Sequence, residues 1–189
     1  KVCLVLWWLI QNQKKYMNQF ILIINGPIVG GKTSAVESIM NQYKKVFRLS
    51  ANKIKFLISD YTPDRDRNLV HESVLLLADN MLKNGMSLLM EGGSVMQGNL
   101  NEGLKELADK HNIKVTIVNI EAPLEQLKKR FEERVLNSIT LGKKISVIDD
   151  AGFMERYNAY LEIKDQAIKT FDSGAQGPGE IAKQIMALV

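Results

Sequence analysis

Short apolar runs alternate with segments of helical period along most of the chain, the pattern of a parallel sheet with helices on its faces. Phe20-Ile21-Leu22-Ile23-Ile24 is apolar at every position and mostly β-branched, which predicts a central strand buried on both sides. A glycine loop follows, then a helix over residues 34–43 with Ala35, Val36, Ile39, Met40 and Tyr43 on one face. Residues 46–49 read as a short second strand. Val70, Val74, Leu77, Ala78 and Met81 predict a helix over 69–82 that stops at Asn84-Gly85. Leu88-Leu89-Met90-Glu91 is a third strand, leading into Gly92-Gly93.

Leu100, Leu104, Leu107 and Ala108 mark another amphipathic helix, and residues 114–120, with five β-branched side chains in seven, a fourth strand. Pro123 suits the first turn of a helix running to about Leu136. A polar connection over 137–150, a helix over 153–163, a fifth strand over 167–171 and a closing helix over 180–188 complete the pattern. No internal repeat, low-complexity tract or linker divides it. The expectation is one three-layer α/β domain, with the methionines as packing residues and His71 and His111 on polar helix faces.

The first sixteen residues stand apart. They begin at Lys1, run through the apolar stretch Val2 to Ile10, and turn polar before Met17. Nine apolar residues fall short of the ~20 that span a bilayer, and no small-residue cleavage site follows as a signal peptide requires. The reading is a leader at 1–16 outside a working domain at 17–189. It also carries Lys1, Lys14 and Lys15 and no acid. Removing those three from the 25 bases leaves 22 against 21 acids, so the formal charge of +4 is no nucleic-acid footprint. A single cysteine, Cys3, excludes a disulfide framework and makes the cytoplasm the expected compartment.

Candidate chemistry begins at Gly26-Pro27-Ile28-Val29-Gly30-Gly31-Lys32-Thr33, which fits G-x-x-x-x-G-K-[ST] between a strand pattern and a helix pattern. Gly26, Gly30 and Gly31 let the backbone turn its amides inward, and the helix beginning at the loop's end adds its positive dipole. Val29, Gly30, Gly31, Lys32, Thr33 and Ser34 are therefore the candidate nucleotide contacts. Lys32 reaches the β- and γ-phosphates, and the Thr33 hydroxyl serves Mg²⁺.

A guanine switch is excluded, because Asn52-Lys53-Ile54-Lys55 lacks the aspartate of N-K-x-D and lies too early. Asp149-Asp150-Ala151-Gly152 matches D-x-x-G by chance, far beyond the loop. The strand at 88–91 ends in Glu-Gly-Gly, unlike the Asp-Glu of motor ATPases. A small-molecule kinase remains. Arg130 and Arg134 lie four apart on one helical face, where guanidinium groups can follow charge on a transferring phosphoryl group or, alternatively, pair with Glu125 or Glu133.

A loop near the start, strands ending in Glu91-Gly92-Gly93 and Glu121-Ala122-Pro123, the R-x-x-x-R pair, and Phe171-Asp172-Ser173-Gly174 before the last helix together resemble the small phosphate-loop kinases. Among them the chain is most similar to the branch of zeta toxins and chloramphenicol phosphotransferases. The resemblance implies a three-layer α/β/α fold with a five-stranded parallel sheet, ATP with Mg²⁺, and a lid over about 130–156 carrying Arg130 and Arg134. It also implies that the loop from Asp172 and Ser173 borders the adenine.

Such kinases carry an aspartate after the second strand, in D-x-x-R, to take a proton from the acceptor hydroxyl. Here Asn52 and Lys55 occupy that pattern. Asp60 and Glu91 are the candidate replacements, Glu91 having metal binding as its competing role. Arg65 and Arg67, in a charged loop before the long helix, suit an acceptor bearing phosphate or carboxylate, or are neutralised by Asp64 and Asp66. The expected activity is transfer of the γ-phosphate of ATP to a hydroxyl of a small molecule: a nucleotide sugar, nucleoside, sugar acid or antibiotic. A nucleotide sensor without turnover and a nucleic-acid end kinase are the alternatives. An antitoxin-type partner is not readable from these residues.

Overall fold

The computed structural model describes residues 19–92, 98–142, 145 and 147–189. Residues 1–16, read above as a leader, with Met17, Gly93 and part of the 137–150 connection, lie outside the described residues.

Five strands form one parallel sheet: β1 (Phe20–Asn25), β2 (Val46–Leu49), β3 (Ser87–Glu91), β4 (Lys114–Glu121) and β5 (Lys169–Asp172). Their spatial order is β2-β3-β1-β4-β5. The uniform apolar pattern of β1 follows from its central place, because successive side chains face opposite layers. Phe20, Leu22 and Ile24 pack with Ala35, Val36 and Ile39 of α1 (Lys32–Gln42) and with Ile181, Ala182 and Ile185 of the closing helix. Ile21 and Ile23 pack on the other face. Their neighbours are Val70, Val74 and Ala78 of the long helix and Leu100, Leu104 and Ala108 of the one after β3. The sheet therefore lies between two helical layers, as expected.

The remaining helices are α2 (Ala51–Lys55), α3 (Pro63–Lys83), α4 (Gly98–His111), α5 (Leu124–Thr140), α6 (Asp150–Leu161) and α7 (Pro178–Met186). Helix α2 is not legible from apolar period, since only Ala51 in it is buried. The charged stretch before the long helix is not a loop. Pro63 sits in the first turn of α3, where its missing N–H costs nothing, and Asp66 reaches back to accept the Thr62 amide at 2.8 Å. The apolar face starts only at Val70 because the earlier turns are largely exposed. Helix α6 begins before the expected residue 153. Asp149 caps it by accepting the Gly152 amide at 2.8 Å, which gives the D-x-x-G match a structural origin. Strand β5 starts later than residue 167, because a 3-10 turn at Lys164–Gln166 precedes it.

A third, smaller core supports the helices that reach over the sheet's carboxyl edge. Leu127 and Phe131 of α5 meet Phe153 of α6 and Val147, with Ile28 and Val29 packed against them. The rings of Phe131 and Phe153 lie 5.0 Å apart. Helix α6 is also tied to the end of β4. The buried Tyr160 donates its phenol to Glu121 at 2.7 Å, and Lys164 donates to the other carboxylate oxygen at 2.9 Å. Burial and that carboxylate push the Tyr160 phenol well above its ordinary pKa, so it stays a neutral donor.

Candidate active site

Parallel pairing aligns the strand ends. Ile24 lies opposite Glu91 and Asn25 opposite Asn119. From β1 the chain passes to β2 on one side and, later, to β4 on the other, so the crevice above β1 is the topological switch point where open α/β sheets bind ligands. The loop from Gly26 turns there into α1. At Gly26, φ is +151°, and a Cβ would sit 2.0 Å from the carbonyl oxygen of Ile120, so only glycine fits against β4. Gly31 caps α1 in the left-handed region at φ 91° and offers no side-chain cap. The first-turn amides of α1 thus open on the crevice that Gly30 to Ser34 line.

The crevice has a volume of about 590 Å³. Lys32 folds back over the loop, donating to the carbonyls of Gly26 at 2.9 Å and Pro27 at 2.7 Å. Burial pulls its pKa down to about 8, opposed by the Glu91 carboxylate and assisted by the Arg134 guanidinium. The Thr33 hydroxyl donates to one oxygen of Glu91. The other accepts from Arg48, whose Nε is 3.1 Å away and whose Nη2 also bonds it. A hydroxyl beside a carboxylate is the hard oxygen donor set that Mg²⁺ takes, so the residues present fit that ion.

Arg134 of α5 and Arg156 of α6 line the same crevice. Arg130 does not join them. One turn earlier on α5, it donates from Nη1 to the Ser173 hydroxyl and from Nη2 to the Ser173 carbonyl, both at 2.9 Å. Ser173 in turn packs against the loop, since a Cβ on Gly31 would stand 3.0 Å from the Ser173 Cβ. Asp172, the last residue of β5, accepts the Gly174 amide at 2.6 Å and thereby shapes that turn.

On the opposite side the crevice is lined by Asn52, Lys53 and Lys55 of α2 and by Tyr61 and Arg67. Lys55 Nζ stands 5.0 Å from the Tyr61 ring centroid. Two residues expected here are elsewhere. Asp60 has a left-handed backbone, φ 57°, and a side chain 90% exposed. Arg65 is turned away to Asp66 at 2.7 Å and to the Asp60 carbonyl. Neither residue lines the crevice, and neither do His71 and His111, the latter paired with Asp79 at 2.7 Å.

Arg48, Lys53 and Arg156 were not foreseen. Arg48 lies within a four-residue strand, and its signal was the odd charge in Val-Phe-Arg-Leu. Arg156 belongs to the expected lid, but nothing in the local pattern distinguishes it from a solvated charge. Among the described residues no helix is long and apolar enough to cross a membrane.

A family model described as an AAA domain, AAA_33, matches residues 21–158. No curated protein matches the sequence. Solved structures do. The tunicamycin resistance protein of Deinococcus radiodurans is 17% identical, with TM-score 0.60, 90% of this chain and 95% of that one covered. The Mycobacterium tuberculosis APS kinase in complex with AMPPNP and APS is 13% identical, with TM-score 0.63 and coverages of 90% and 97%. Shikimate kinase from Acinetobacter baumannii in complex with shikimate is 16% identical, with TM-score 0.58 and coverages of 93% and 95%. At these identities the likeness establishes the fold, that of the phosphate-loop kinases.

Val29 holds φ 54° although it is β-branched, a strained state within the nucleotide loop. Val29→Ala and Val29→Gly both lose the contacts of the two γ-methyls, and glycine also loses the Cβ, but only glycine relieves the left-handed backbone. The glycine variant is therefore expected to be the more stable of the two by about 1 kcal/mol in urea unfolding, the reverse of the usual order.

Proposed function

The chain belongs to the AAA_33 family of AAA domains, and from that premise we propose that it moves the γ-phosphate of ATP to an oxygen of a small molecule. One observation carries this reading. Lys32, Thr33 and Glu91 face the same crevice as two arginines from different helices, Arg134 and Arg156. Phosphoryl transfer asks mainly for positioning and for cations around the phosphoryl oxygens, and that set offers both.

In this account the loop amides and Lys32 hold the β- and γ-phosphates. Thr33 and Glu91 hold Mg²⁺, which when bound offsets charge between those phosphates. Arg134 and Arg156 follow the charge on the transferring group. Arg130 acts one step back, fixing Ser173 and with it the turn from Asp172 that borders the base. Glu121 and Tyr160 anchor α6, which keeps Arg156 over the loop. The motif order similar to zeta toxins favours a hydroxyl acceptor, placed between Asn52, Lys55 and Arg67. APS and shikimate, bound by two proteins of this fold, are likewise small acceptors.

Transfer of labelled γ-phosphate tests the reading. Lys32→Ala is expected to abolish it. Arg134→Ala and Arg156→Ala are each expected to slow it by about 10²- to 10³-fold while ATP affinity changes only a few-fold, a split between kcat and binding that a nucleotide sensor without turnover would not show.

The lowered Lys32 pKa sets a pH dependence. Near pH 8 the free protein begins to lose this ammonium, and triphosphate binding then requires proton uptake. Affinity for MgATP, measured by calorimetry, is therefore expected to fall as pH rises above 8, approaching about tenfold per unit, and to stay flat over the same range in Lys32→Met.

A further inference from the structure

The acceptor half of the crevice is charged in a way that triphosphate binding does not use. Among the described residues, seven cationic side chains line the crevice against the single carboxylate of Glu91. Lys32, Arg134 and Arg156 belong to the triphosphate side, and Arg48 is committed to Glu91. Lys53, Lys55 and Arg67 remain. All three sit on α2 and the start of α3, and none makes an ion pair with a carboxylate among the described residues. Lys53 and Arg67 are exposed and Lys55 is half-buried, so all three cations are open to an anion entering the hollow they line.

Among the described residues, the same half holds no carboxylate to take a proton from an alcohol. Asn52 presents an amide where the sequence pattern calls for a carboxylate, and an amide is not a base. Asp60 is outside the crevice with its side chain 90% exposed. Glu91 has Thr33 on one oxygen and Arg48 on the other. An acceptor whose attacking oxygen is already ionised needs none of these. A phosphomonoester has its second pKa near 6 and is a dianion at neutral pH.

We propose that the acceptor is a small phosphomonoester, held by Lys53, Lys55 and Arg67, and that the product is a phosphoanhydride. The proposal rests on the transferase reading above and, from the charge of the lining, puts an ionised phosphate oxygen in place of the hydroxyl as the attacking group. An oxygen of the acceptor phosphate forms the new bond to the γ-phosphorus. The bond from that phosphorus to the bridging oxygen breaks, and its electron pair leaves on the β-phosphate of ADP. No proton changes place, so the amide at position 52 is no defect.

The experiment supplies the full chain with MgATP labelled in the γ-phosphate and two acceptor pools. One contains nucleoside monophosphates and sugar phosphates, and the other the same nucleosides and sugars without phosphate. The expected result is Lys32-dependent label only in the first pool, on a product whose two phosphorus nuclei split each other's resonances in a ³¹P spectrum. Arg67→Ala is expected to raise the acceptor KM by about 10- to 100-fold, the loss of one charge-assisted hydrogen bond. Asn52→Asp, which puts a negative charge beside the acceptor, is expected to lower kcat/KM by at least about threefold.

Label on the unphosphorylated pool, label on a hydroxyl of a phosphomonoester without phosphorus–phosphorus splitting, or a faster Asn52→Asp enzyme would overturn the proposal and leave the transferase reading standing. No label in either pool, with Lys32-dependent ATP binding intact, would overturn both.

Discussion

Glu91 sits where β1, β2 and β3 end side by side, and its carboxylate takes the Thr33 hydroxyl on one oxygen and the Arg48 guanidinium on the other. Three elements meet at that group: the helix that begins at the nucleotide loop, the second strand, and the third strand that carries Glu91 itself. The arrangement depends on parallel register. Ile24 is level with Glu91, so a carboxylate at the end of β3 arrives beside a hydroxyl one residue into α1. A slip of one residue would turn Glu91 to the opposite face of the sheet and leave both Thr33 and Arg48 without it. Charge-assisted bonds of this kind are short and directional, which suits a group that has to keep an oxygen donor set in place.

The arginines over the loop are positioned by apolar contact. Ile28 and Val29 of the loop pack into the same small core as Phe131 of α5 and Phe153 of α6. Arg134 and Arg156 each lie three residues beyond one of those rings, so the core that steadies the loop also sets where the guanidinium groups stand. Arg130, one turn away from Arg134, meets Ser173 and serves the far rim. Adjacent positions on one helical face thus have separate partners, because one turn displaces them by about 5 Å along the axis.

The strands and most helices were legible because burial writes period into the chain. Phe20 to Ile24 faces two layers and is apolar throughout, and the loop motif names its own contacts down to Thr33. Side chains placed by tertiary contact were not legible. Arg48 and Arg156 acquire meaning only from the elements that bring them to one crevice, and Asp60 and Arg65 lose theirs because a left-handed residue and an ion pair with Asp66 turn them aside. Spacing put Arg130 and Arg134 on one face correctly. It could not say that β5 ends near enough for Ser173 to capture the first of them.

The central claim is that loop, carboxylate and lid arginines act on one phosphoryl group. A crystal structure with ADP, Mg²⁺ and aluminium fluoride tests it most directly. The account predicts the β-phosphate within the loop from Gly26 to Thr33, and the fluoride complex within hydrogen-bond reach of Lys32, Arg134 and Arg156. A nucleotide bound with its phosphates outside that loop, or a fluoride complex that both arginines leave uncontacted, would contradict it.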